Sequence, residues 1–134
     1  MTLYYLDTSI WLDYYEARGK HGEYIKQFLE KLATTEDIIL ISDVLIKELL
    51  RLGLSIKTIL SLFHVLKLDH YLRVQLTKTQ RQSARDISLQ FKVPWFDAAH
   101  TVLAKEYQAT LVSYNYHFLT LKYFIEVKTP EELL

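Results

Sequence analysis

The chain has 134 residues, half of them hydrophobic, with sixteen Lys/Arg balancing sixteen Asp/Glu, three Gly and no Cys. That length and apolar content describe one packed domain, residues 1–134, and exclude a disordered or low-complexity chain. Disulfides and thiolate metal sites are excluded, and neither a bilayer-spanning run nor a basic leader is present, so a soluble cytoplasmic protein with no membrane partner is expected.

Taken in chain order, residues 3–6 form a short apolar strand running into Asp7, and Thr8 and Ser9 are placed to cap a helix over 8–17. Gly19 and Gly22 bracket a turn. Ile25, Phe28, Leu29 and Leu32 recur at helical spacing and predict a second amphipathic helix to about Ala33. The run "IILI" over 38–41 ends at Ser42 and Asp43, two good caps, so a buried strand feeds a helix that closes at Gly53. Ser55 opens a further helix. Its segment "LSIKTILSLF", 54–63, has Lys57 as its only charge and is apolar on more of its circumference than a surface helix requires. Such a helix must be buried by the core or by a second subunit, and a homodimer is expected.

Residues 64–69 read as a third strand and 70–91 as a helix with Leu76, Ala84, Ile87 and Phe91 inward. Val93–Pro94 breaks it, because the residue before proline avoids helical dihedrals, and another helix follows over 95–107. Segments 109–113 and 124–127 are strands, and "TPEE", 129–132, has the form of a capping box. Short apolar strands alternating with helices imply βαβ units. The expected fold is α/β: a single three-layer domain whose parallel sheet of about four to five strands is covered by helices on both faces.

In such sheets functional groups gather beyond the carboxyl ends of the strands. Asp7 and Ser113 map there, Asn115 follows just past Ser113, and the helix carrying Glu48 starts there. At about 100° per residue Glu48 falls on the border of its helix's apolar arc, where an ordinary pair with Arg51 would also explain it. Asp97 lies in the first turn of its helix, a place that favours an anion with or without a ligand, and Ala98 and Ala99 leave room for an approach. Together the three acids, on three segments, are better explained by a cation than singly. Carboxylates brought together repel unless a cation neutralises them, and oxygen ligands suit Mg²⁺ or Mn²⁺. Zinc is disfavoured without Cys, and His21, His64, His70, His100 and His117 show no paired ligand spacing.

Other βα enzymes fail on the same string. A dehalogenase-type phosphatase needs a second Asp where Ser9 stands, and three glycines cannot build a phosphate-cradling loop. Metal-assisted phosphodiester hydrolysis remains. Charge points to the same substrate class. Residues 71–92 hold five Lys/Arg against one Asp, and Lys78, Arg81 and Arg85 recur on one helix face. This stripe can meet phosphate, although a solvated face gives the same pattern.

The segments "YYLDTSIWLDYY", "ISDVLIKELL", "VPWFDAAHTVLAKEYQATLVSYNYHF" and "VKTPEELL", in this order, resemble the PIN domain, and within it the VapC-type toxins of toxin–antitoxin pairs. The resemblance implies a Mg²⁺- or Mn²⁺-dependent endoribonuclease, commonly dimeric, with an antitoxin protein as partner. It implies metal-binding roles for Asp7, Glu48 and Asp97 and supporting roles for the hydroxyls of Thr8 and Ser113. A fourth acid in much of the family corresponds to Asn115, which is neutral and leaves the pocket one charge short. An RNA- or protein-binding protein of the same fold with weak or lost turnover is the alternative.

Overall fold

The computed structural model describes residues 1–17, 19–121 and 125–134. Five parallel strands form one sheet in the order β3-β2-β1-β4-β5: β1 is Leu3–Leu6, β2 Ile38–Ser42, β3 Tyr71–Val74, β4 Thr110–Val112 and β5 Val127–Lys128. The helices among the described residues are α1 Thr8–Tyr15, α2 Gly19–Leu32, α3 Asp43–Arg51, α4 Ile56–Phe63, α5 Lys78–Phe91 and α6 Trp95–Glu106. None of them is long and apolar enough to cross a membrane.

Alternation along the strands sorts the core into two layers, because successive side chains leave a strand on opposite faces. Tyr5, Leu40, Val74 and Leu111 point to the layer made by α5 and α6, where Ala84, Ala99 and Leu103 are fully buried. Leu6, Ile39, Ile41 and Val112 point to the layer made by α1, α2 and α4. Helix α3 serves both, with Val44 in the first core and Leu45 and Leu49 in the second. It therefore crosses the carboxyl edge of the sheet and carries Glu48 there.

Several local expectations are corrected. Asp7, not Thr8 or Ser9, caps α1: its backbone is extended and its Oδ1 accepts the Ile10 N–H at 3.0 Å. Gly19 and Gly22 lie inside α2. At Gly22 a Cβ would come within 3.0 Å of the Ala17 carbonyl carbon and 3.3 Å of the Asp13 carbonyl oxygen, so glycine lets the chain pass close to the end of α1. Residues 64–69 are not a strand. Phe63 and Leu66 continue the helical spacing of α4 into its core, Leu68–His70 makes a 3-10 turn, and the third strand begins at Tyr71. Helix α5 starts at Lys78, behind a Thr77–Gln80 capping box. Of the strand expected over 124–127, Phe124 is outside the described residues and Val127 alone belongs to β5. The reciprocal bonds between Thr129 and Glu132 do form, at 3.1 Å and 3.4 Å.

Candidate functional site

Asp7 leaves the end of β1 as the cap of α1, and its carboxylate is buried. Ser9 Oγ and the Ile10 N–H donate to Oδ1 at 2.8 Å and 3.0 Å, and Ser113 Oγ, just past β4, donates to Oδ2 at 2.5 Å. Burial pushes this carboxyl above the usual aspartate range, and those three bonds only partly offset it. The hydroxyls read from the sequence as caps thus serve the acids. Thr8 Oγ donates to Glu48 Oε1, and Ser113 Oγ also accepts the Asn115 backbone N–H at 2.8 Å.

Glu48 reaches this place from α3 and is held by α6. The Nε2–H of His100 donates to Glu48 Oε1 at 2.8 Å, since a carboxylate only accepts. Behind it stands a buried chain: His100 Nδ1 and Tyr5 Oη are 2.6 Å apart, and Tyr5 Oη and Ser42 Oγ are also 2.6 Å apart. Ser42 Oγ accepts the Leu45 N–H as the cap of α3, so with a neutral ring hydrogens run from Ser42 through Tyr5 to His100. Burial opposes the charge of Glu48, but the hydrogen bonds from His100 and Thr8, aided by Arg51, outweigh it and hold its carboxyl below the usual range. The simple Glu48–Arg51 pair is not formed; the Arg51 guanidinium stands 5.6 Å from the centre of the Phe96 ring.

Asp97 sits in the first turn of α6, 8% exposed. Its Oδ2 accepts from His117 Nδ1 at 2.7 Å and lies 3.4 Å from Asn115 Nδ2. Ala98 and Ala99 do not open the approach to Asp97 that the sequence suggested. Both are fully buried and pack α6 into the core.

Asp7, Glu48, Asp97, Thr8, His100 and Asn115 line one cleft of about 140 Å³. Ser113 reaches it through Asp7. Lys78, Arg81 and Arg85 are not among its lining residues; they lie along α5, which packs on α6, with the Arg81 guanidinium 5.9 Å from the centre of the Trp95 ring. Sequence reasoning missed His100, His117 and Tyr5. The available signals were the spacing of His100, three residues after Asp97 on one helix, and of His117, two residues after Asn115.

The donor set is one of oxygens, and a cation would favour the ionised form of Asp7 that burial disfavours. Among the described residues no three His, Cys, Asp or Glu side chains gather closely enough to hold an ion alone. A cation here would take one or two carboxylates and fill its shell with water, the habit of Mg²⁺. The residues fit a hard divalent ion on those terms.

The comparisons with known proteins agree with this architecture. Rickettsia felis VapBC2, solved bound to a promoter DNA fragment, is 20% identical with a TM-score of 0.70 over 96% of this chain and 98% of its own. Mycobacterium tuberculosis VapC20, described as a sarcin–ricin loop cleaving toxin, is 14% identical with a TM-score of 0.70 over 92% and 98%. Neisseria gonorrhoeae FitAcB is 17% identical with a TM-score of 0.62 over 97% and 99%. These likenesses are of fold. No curated protein sequence matches the chain significantly. The PIN domain model matches residues 4–122, nearly the whole length and every residue that lines the acidic cleft, and the chain belongs to the PIN domain family.

Proposed function

We propose that the protein is a Mg²⁺- or Mn²⁺-dependent endoribonuclease and the toxin of a toxin–antitoxin pair. One observation carries this reading: Asp7, Glu48 and Asp97, from three separate segments, line a single cleft at the carboxyl edge of a PIN sheet. Of Asp7, Glu48 and Asp97, one or two would hold the ion directly and the remainder through its bound water, and the ion when bound activates water and stabilises the leaving oxygen. The chain's own part is preorganisation. His100 and Thr8 keep Glu48 ionised and aimed, Ser113 and Ser9 aim Asp7 and partly offset its burial, and His117 steadies Asp97. Lys78 and Arg85, exposed on α5, would guide the RNA backbone toward α6, with Arg81 anchored on Trp95 between them.

Structural neighbours that are toxin–antitoxin complexes support an antitoxin protein as partner. Exposed apolar side chains on and beside α4 support a homodimer, and the family resemblance supports a cytoplasmic setting. A second reading, a PIN-fold RNA- or protein-binding protein with weak or lost turnover, is favoured by the neutral Asn115. Cleavage mapping on total cellular RNA decides between them. Wild type with Mg²⁺ or Mn²⁺ should give discrete new ends that chelator or Asp97→Asn abolishes; RNA binding without new ends supports the second reading.

A further inference from the structure

We propose that Asn115 faces the substrate and not the metal: its amide N–H group reaches an anionic oxygen of the scissile phosphodiester, where an acid would have held a second ion. The assignment rests on the reading of the cleft as a nuclease site. Two contacts fix the amide's orientation. Its Oδ1 accepts the backbone N–H of His117 at 3.0 Å, and its Nδ2 lies 3.4 Å from Asp97 Oδ2. Turned over, the amide would set its NH₂ against an N–H and its oxygen against a carboxylate, losing both contacts. The loop itself is tied down, because the Asn115 backbone N–H bonds to Ser113 Oγ, which in turn donates to Asp7.

The oxygen of Asn115, the atom that could ligate a cation, is thus directed into its own turn. What it turns toward the acids is a donor. A second donor meets the same oxygen of Asp97, His117 Nδ1 at 2.7 Å. The two hydrogen bonds on Asp97 Oδ2 occupy the lone pairs that a second cation would need at that oxygen. An amide NH₂ carries two hydrogens; one leans on Asp97, and among the described residues the other has no acceptor. Since Asn115 lines the acidic cleft, a phosphate oxygen entering beside a metal ion meets that hydrogen. The expected stoichiometry is one divalent ion per chain.

Asn115→Ser tests this, because a serine hydroxyl keeps an acceptor for the His117 N–H and so preserves the turn while removing the amide donor. Mn²⁺ binding to the full chain is read by titration calorimetry. Affinity for a short mixed-sequence single-stranded 2′-O-methyl RNA, at saturating Mn²⁺, is read by fluorescence anisotropy. Wild type should take one Mn²⁺ per chain. Asn115→Ser should hold Mn²⁺ within about twofold of wild type and lose roughly tenfold in RNA affinity, the scale of a hydrogen bond to a charged group. Asn115→Thr, which also keeps an acceptor for the His117 N–H, provides the same readings if the serine variant fails to fold. Two ions per wild-type chain, a tenfold loss of Mn²⁺ affinity in either variant, or unchanged RNA affinity overturns the assignment of Asn115 and leaves the nuclease reading standing. A wild type that binds neither Mn²⁺ nor RNA overturns both.

Discussion

Asp7 does two things that pull its protonation in opposite directions. As cap of α1 it accepts hydrogen bonds that favour the carboxylate, yet its burial in the metal-free fold costs more, and its pKa is raised. A raised acid destabilises the folded state while it is ionised. That cost is full above the folded pKa and fades as pH falls toward the unfolded value of about 3.9. Glu48 has the opposite sign: its lowered pKa supplies stability above the unfolded value, lost as pH falls through the folded one. Comparing wild type with Asp7→Asn isolates the first effect. The metal-free variant should melt a few degrees higher at neutral pH, and the gain should shrink as pH falls toward 4. A variant that melts lower at every pH would show that the three bonds to Asp7 outweigh its burial. At this scale the acids were legible because Asp7 ends an apolar run, Asp97 begins a helix and Glu48 borders an apolar arc. The roles of Tyr5, His100 and His117 were not, since they arise where separate segments meet in space, and the short spacings from Asp97 to His100 and from Asn115 to His117 do not say which partner each ring takes.

Helix α5 shows how an element can be placed correctly on one side and misread on the other. Its inward residues and its end before Pro94 follow from spacing and from proline. Its start does not, because β3 is an edge strand paired on one side only, with Leu72 and Arg73 exposed and too little alternation to stand apart from a helix. The Thr77–Gln80 capping box was the readable signal. The helix also carries the basic stripe. Changing Lys78, Arg81 and Arg85 together to Gln should weaken binding to single-stranded RNA and flatten its dependence on salt, as three phosphate-neutralising charges are removed. The melting temperature will also register the lost stacking of Arg81 on Trp95. Unchanged affinity and salt slope would identify the stripe as a solvated face.

Across the whole molecule, alternation of short apolar strands with helices was enough to give the parallel three-layer sheet. The positions of β3 and β5 were not legible: the first is disguised by the apolar tail of α4, and the second has only two residues. The same scale decides association. Helix α4 buries Ile59, Leu62 and Phe63, while Ile56 and Leu60, with neighbouring Leu52 and Val65, remain between 43% and 56% exposed. The core covers only one side of this helix, and a second copy of the chain is the proposed cover for the other. Light scattering at micromolar concentration should give the mass of a dimer, and Leu60→Glu should give a monomer with an intact fold. A monomeric wild type would leave the face to another partner.

The central claim is that three distant carboxylates act as one cation site. Melting temperature against Mg²⁺ or Mn²⁺ concentration tests it most directly, because an ion that binds only the folded state raises stability by mass action. Wild type should melt progressively higher as metal is added, and Asp97→Asn should lose most of that rise while melting normally without metal. An equal rise in the two proteins would place the ion elsewhere and contradict the account.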